Sequence, residues 1–136
     1  MREEDAKIVK KPWGREVWLR EPTEEEKRAG RGYCYKRIYI NQGTRTSYQY
    51  HEKKMETNFI IYGNAEVWLE NESGSIEKII MGPGEFFTVI PPRKHRVIAL
   101  TDLILQEVST PEVDDVIRLE DDTGRGHGRI DNEHRN

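Results

Sequence analysis

The chain has 136 residues, a net charge of −3 and 35% charged residues, with both signs interspersed. That length suits one ordinary domain, and the mixed charge creates no field that would draw nucleic acid or an acidic membrane surface. The start, MREEDAKIVKK, lacks the apolar segment of a secretory signal, and no stretch reaches the roughly 18 apolar residues of a membrane span, so a cytoplasmic protein is expected.

Taken in chain order, the periodic runs are short and rich in β-branched and aromatic residues, which predicts an all-β barrel or sandwich. The first predicted strand covers 16–19. Residues 23–29 predict a helix of one or two turns, because Thr23 followed three residues later by Glu26 fits a capping box and Gly30 fits a stop. Predicted strands follow at 33–40, 46–51, 57–62, 65–70, 75–81, 85–90, 95–99 and 103–108. Turn-forming residues separate them, among them Asn41-Gln42-Gly43, Gly63-Asn64, Gly82-Pro83-Gly84 and Pro91-Pro92. The strand at 33–40 carries Cys34, the single cysteine, which excludes an intrachain disulfide and a thiolate cluster. Any bound metal is therefore expected to be held by nitrogen and oxygen. From Asp121 onward the sequence DDTGRGHGRIDNEHRN is polar and without periodicity. The expected organisation is a barrel with an N-terminal strand segment over 1–120 and a flexible polar tail over 121–136, in which His127 and His134 are solvated.

The most informative spacing lies between 43 and 63: Gly43, five residues, Gln49, one residue, His51, four residues, Glu56, six residues, Gly63. A second block opens at Gly84 and ends at Pro91, Pro92 and His95. Gln49 and His51 are two apart and project to one face of a strand, while Glu56 arrives after a short turn at the start of the next. Gly43 and Gly63 suit the tight turns that return the strands. A lone His on a strand is more often a satisfied polar residue than a ligand. The complete spacing with His95 is what makes the set a candidate.

Together the two blocks resemble the two motifs of the cupin superfamily, whose fold is a jelly-roll barrel, or double-stranded β-helix, and whose motifs usually hold a divalent metal with two His, one Glu and a further His. Gln49 stands at the place of the first His, and Ile90 and Pro92 replace a Pro and a Gly of the second motif. The Gln points to a subgroup, the type II mannose-6-phosphate isomerase domain. Further likenesses to that subgroup are Lys11-Pro12-Trp13-Gly14-Arg15 with Val17, then Lys36-Arg37-Ile38 before Gly43, then 103–108, reading LILQEV, and 114–125, reading DDVIRLEDDTGR. Thr123 replaces a Tyr in the last of these. Such domains commonly accompany a mannose-1-phosphate guanylyltransferase domain, which these 136 residues do not contain.

The resemblance implies reversible aldose–ketose isomerisation of a phosphorylated sugar through an enediol. Gln49, His51, Glu56 and His95 are the implied metal ligands, with zinc expected first and manganese, iron, cobalt or nickel as alternatives. Glu107 is the expected proton carrier, and Lys36, on the inward face with Ile38 and Ile40, is expected to enter the barrel and either bind phosphate or protonate an oxygen. Arg118 and Arg125 are candidates for a fork on the phosphate. Arg96, directly after His95, is expected to face away from the metal. Trp13, Trp18 and Trp68 read as packing residues, and Tyr48 and Tyr50 should point away from Gln49. A homodimer paired through sheet faces is expected, with residues 12–19 adding a strand across the interface. Two other readings remain open: a non-catalytic metal- or sugar-binding cupin associated with nucleotide-sugar or polysaccharide biosynthesis, and a cupin dioxygenase or other metal-dependent enzyme on small polar substrates.

Overall fold

The computed structural model describes residues 1–120 and Gly128–Arg129. Short β-rich runs broken by turns cannot each bury a face alone, so they pair into two antiparallel six-stranded sheets that close on one another. The strands in chain order are β1 (Lys7–Lys11), β2 (Gly14–Arg20), β3 (Cys34–Ile40), β4 (Tyr48–Tyr50), β5 (Glu56–Tyr62), β6 (Ala65–Glu70), β7 (Ile76–Met81), β8 (Phe86–Val89), β9 (His95–Ala99), β10 (Leu103–Ser109), β11 (Ile117–Glu120) and β12 (Gly128–Arg129). One sheet has the order β1-β2-β3-β10-β5-β8 and the other β12-β11-β4-β9-β6-β7. The chain thus crosses repeatedly between the sheets, as a jelly roll does. No helix among the described residues is long and apolar enough to cross a membrane.

The alternation read from the sequence is visible strand by strand. In β3, Cys34, Lys36, Ile38 and Ile40 are buried while Tyr35, Arg37 and Tyr39 are half-exposed. The short helix α1 (Glu24–Ala29) forms with its capping box intact: the Thr23 side chain accepts from the Glu26 amide and Gly30 closes the helix at φ 66°. Gly63 occupies φ 88° where β5 turns into β6, and a Cβ there would lie 2.0 Å from the Asp102 carbonyl oxygen, so no larger residue fits without moving backbone.

The differences from the sequence-based expectation include the N-terminal strands, β4 and β11. The strand predicted from 16 begins at Gly14 and pairs with β1, which KIVKK conceals because only Val9 of its five residues is buried. The strand predicted over 46–51 is regular only at Tyr48–Tyr50, because Thr46 pairs outside the ladder, its amide donating to Val97 O and its hydroxyl accepting from the Val97 amide. β11, which falls within the 114–125 likeness and is not predicted as a strand, joins β4 in the second sheet beside Gln49. The expected tail over 121–136 lies outside the described residues except for Gly128–Arg129, which pair with β11.

One end of the interior is apolar. Ile38, Ile40, Ile60, Ala65, Val67, Phe87, Val89, Val97, Ala99, Leu103 and Leu105 pack there from both sheets, with Trp13 against them. A second, small cluster of Val9, Trp18, Cys34 and Val113 lies apart from it. Between the two sit the buried polar residues.

Candidate metal centre

Most of the buried polar residues, with half-buried Gln49 and Asp115, converge on one cavity of about 80 Å³, lined by Gln49, His51, Lys54, Glu56, Asn58, His95, Lys36, Glu107, Glu16, Asp115 and Arg118 among others. The positions follow from strand geometry. Gln49 and His51 leave the end of β4, Glu56 opens β5, and His95 opens β9 directly across from Gln49 in the β4–β9 register. Glu107 on β10 pairs with Lys36 on β3 and with Asn58 on β5, so those three inward residues form one layer.

His51, Glu56 and His95 place one ligand atom each within 4.8 Å of one another, and all three residues are buried. Glu56 Oε1 lies 2.9 Å from His51 Nε2 and 3.4 Å from His95 Nε2. The far nitrogens are held by backbone carbonyls: His51 Nδ1 lies 2.5 Å from Asp115 O, and His95 Nδ1 lies 3.3 Å from Arg93 O. A carbonyl oxygen only accepts, so Nδ1 of each ring must carry the proton.

This arrangement decides whether a cation fits. Burial lowers the His51 pKa from its ordinary value of 6.5, against the pull of Glu56 in the other direction, so a neutral imidazole is favoured. With Nδ1–H donated away, its Nε2 lone pair points at a carboxylate oxygen. Burial raises the Glu56 pKa, but the Lys54 ammonium, the largest opposing influence, helps to hold the carboxyl well below the usual range. Two imidazole lone pairs and an ionised carboxylate converging on one point repel each other unless a cation lies among them, and that is the donor chemistry of a divalent metal site. Gln49 lines the same cavity, and its Oε1 accepts a hydrogen bond from Ser47 Oγ.

Next to this cluster lies a chain of buried charges. Glu107 Oε2 is 3.5 Å from Lys54 Nζ and 3.9 Å from Lys36 Nζ, and it accepts no hydrogen bond among the described residues. Lys36 continues to Glu16 Oε1 at 3.3 Å and stands 4.2 Å above the Trp18 ring, whose Nε1 donates to the same Glu16 oxygen at 2.9 Å. Burial, reinforced by Glu56, pushes the Glu107 carboxyl up to about 7 against the opposing pull of Lys54 and Lys36. Burial works against both ammonium charges, yet Glu107, Glu56 and Glu16 prevail at Lys54, and Glu16 and Glu107 at Lys36, raising both above the usual lysine value. One carboxyl is thus kept ionised and its neighbour made easy to protonate.

Of the residues singled out from the sequence, Gln49, His51, Glu56, His95, Lys36, Glu107 and Arg118 all line the cavity. Arg118 is 3% exposed and pairs with Gln49 across β11–β4. Arg125, His127 and His134 lie outside the described residues. Arg96 is absent from the cavity wall, as its position after His95 predicts; its Nε donates to Thr46 O at 2.9 Å and its guanidinium packs 5.6 Å from the Trp68 ring. Tyr48 meets Trp68 edge-on on that same outer side, with ring centroids 5.9 Å apart. The charged and polar cavity residues that sequence reasoning missed include Glu16, Asn58, Lys54 and Asp115. The first two share inward faces with Trp18 and Glu56 and could have been found by strand parity. Lys54 and Asp115 sit in connections with no periodicity to reveal them.

No protein-family model matches the chain, and no curated protein matches it. Solved structures do. KdgF from Halomonas sp. superposes with a TM-score of 0.64 at 17% identity, covering 82% of this chain and 91% of that one. An oxalate decarboxylase from Bacillus subtilis gives 0.69 at 17%, covering 88% of this chain and 31% of that one. The Lactobacillus farciminis oxalate decarboxylase formate complex gives 0.67 at 18%, covering 85% and 34% respectively. The chain therefore spans about a third of the decarboxylases' length. At such identities the likeness is one of fold, and the fold is the all-β, single-domain cupin jelly roll.

Proposed function

We propose that this protein is a metal-dependent sugar-phosphate isomerase of the mannose-6-phosphate isomerase type, interconverting an aldose and a ketose through an enediol. One observation carries the reading: a buried carboxylate oxygen that accepts no hydrogen bond among the described residues, Glu107 Oε2, lies in the same cavity as a His-Glu-His cluster and within 4 Å of two buried ammonium groups. Isomerisation needs a base that can move a proton between adjacent carbons, together with positive groups where charge develops on the neighbouring oxygens.

His51, Glu56 and His95, with Gln49 beside them, would hold the divalent ion, zinc first among the candidates. Support for a metal comes from the donor chemistry of the cluster and from the Mn(II) centres of the structurally similar Bacillus subtilis oxalate decarboxylase. When bound, the ion supplies Lewis-acid polarisation of a carbonyl oxygen. Glu107 takes and returns the proton. Lys54 and Lys36 keep that carboxylate in place and supply positive charge beside the reacting end, and Arg118 faces the anionic part of the substrate. Arg125 is proposed as the second arm of the phosphate fork.

A cavity of about 80 Å³ has room for roughly five to eight waters. It is far smaller than the roughly 300–1,000 Å³ that enclose a drug-sized ligand, so it would admit the open-chain carbonyl end of a sugar and leave the remainder outside. The same volume favours, as a second reading, a metal-dependent enzyme acting on a smaller polar substrate, of which a dioxygenase is one kind. The test is exchange of the C2 proton of mannose 6-phosphate and of C1 protons of fructose 6-phosphate in deuterated water, with zinc restored. Deuterium incorporation is expected. Stoichiometric zinc without exchange would reject the isomerase, and oxygen uptake by the iron-loaded protein would then select the second reading over a non-catalytic binding module.

A further inference from the structure

We propose that Asp115 is a positioning residue that sets two cavity groups at once: the His51 imidazole through its backbone carbonyl, and the Lys54 ammonium through its carboxylate. The inference rests on His51 serving as a metal ligand.

Asp115 lies in the segment that leaves β10 on one sheet and reaches β11 on the other, and Val113, Asp115 and Val116 of that segment line the cavity. Its carbonyl oxygen accepts from His51 Nδ1 at 2.5 Å. Its carboxylate accepts three consecutive backbone amides: Glu52 at 3.2 Å, Lys53 at 2.6 Å and Lys54 at 2.9 Å. Three of the four residues between the two ligands His51 and Glu56 are therefore folded around one side chain. Three amides in succession would lose their acceptor without it. The next residue closes the attachment, since the Met55 amide donates to Thr110 Oγ1 and the Thr110 amide donates to Met55 O, both at 3.0 Å.

Two consequences follow. The spacing between His51 and Glu56 is set by the 110–116 segment as well as by the chain that joins them. Holding the Lys54 amide also fixes where that residue leaves the backbone, and its Nζ ends 3.5 Å from Glu107 Oε2. At His51, a carbonyl at Nδ1 selects the tautomer whose Nε2 lone pair faces Glu56, which is the form a metal accepts. Partners of this kind, one bond beyond the ligand, typically change metal affinity by about 10–100-fold.

The experiment compares the whole protein with Asp115→Ala and Asp115→Asn. Zinc affinity is read by competition with a chromophoric chelator, and the His51 tautomer of the metal-free protein by long-range ¹H–¹⁵N correlation. Expected are an Nδ1–H tautomer in the parent, a 10–100-fold loss of zinc affinity with a mixed tautomer in Asp115→Ala, and an intermediate loss in Asp115→Asn, whose amide oxygen can still accept. Zinc affinity of Asp115→Ala within twofold of the parent would overturn the proposal, as would an Nε2–H tautomer in the parent. Should Asp115→Ala fail to fold, the Asn variant and the parent's tautomer still decide. If the parent binds no zinc but its Nδ1–H tautomer is lost in the variants, the clamp stands and the metal-ligand reading fails.

Discussion

The same strands build two different interiors. Along β3 the inward residues run from Lys36 to Ile38 and Ile40; along β10, in the opposite direction, from Glu107 to Leu105 and Leu103; along β5 from Glu56 and Asn58 to Ile60; along β9 from His95 to Val97 and Ala99. Register keeps the change in step, since Glu107 sits opposite Lys36 and Asn58 while Leu105 sits opposite Ile38 and Ile60. A slip of one residue on any of these strands would turn both halves outward together, so the apolar end fixes the placement of the polar end. The apolar end contributes stability through burial. The polar end buries Glu16, Lys36, His51, Lys54, Glu56, His95, Glu107 and Arg118, whose desolvation is costly and only partly offset by pairing. Residues at one end should therefore govern folding, and those at the other should govern binding and turnover.

The largest expected effect is at the ligands. His51→Ala and His95→Ala should each lose their bound metal by elemental analysis while keeping the far-UV circular dichroism of a β protein. A variant that retained one ion per chain would break the ligand assignment. Next comes Glu107→Gln, which keeps the shape but removes the base: metal content should be unchanged and turnover should fall by about 10²–10⁴-fold. An unchanged rate would take Glu107 out of the proton-transfer role. Third is the apolar end. Ile60 is 0% exposed and lies two residues along β5 from Asn58, so Ile60→Ala should cost about 2–5 kcal/mol in urea unfolding. A cost under about 1 kcal/mol would mean that the division between the two ends is not where the burial pattern puts it.

The two ends were not equally legible. Strand periodicity finds the apolar end directly, because Ile38, Ile40, Leu103 and Leu105 alternate with half-exposed residues. Spacing picks out Gln49, His51 and Glu56, because a ligand pair on one strand followed by a turn is a local pattern. Likeness to a known closing strand picks out Glu107, whereas parity with Ile38 and Ile40 already places Lys36 on the inward face. Lys54 is hidden in the run Glu52-Lys53-Lys54, which reads as a solvated turn, and the carboxylate of Asp115, 61 residues away, holds that turn through the backbone. β1 escaped notice for a related reason: an edge strand with one buried residue carries almost no periodic signal. Long-range hydrogen bonds, unlike alternation, leave no trace in a local window.

The smallest effect probes how dry the polar end is. Cys34 lies two residues before Lys36 on the inward face of β3, and its neighbours in the small cluster are Val9, Trp18 and Val113. Burial pushes its thiol from 9.0 up to about 11, although Lys36 pulls the other way. The folded state therefore keeps the proton that the unfolded chain releases, and the thiol's contribution to stability is fully present below pH 9.0 and is lost as pH rises to about 11. A shift of that size corresponds to at most roughly 2–3 kcal/mol. Lysines and tyrosines titrate in the same window, so the informative quantity is the difference in the pH slope of unfolding free energy between the parent and Cys34→Ala, which cancels them. The parent should lose more stability between pH 9 and 11. Equal slopes would mean that water reaches Cys34, and then the charges of Lys36, Glu16 and Glu107 beside it would be screened too. The polar end would be a hydrated cleft instead of a dry pocket, and its buried ion pairs would contribute correspondingly less to holding Glu107 in place.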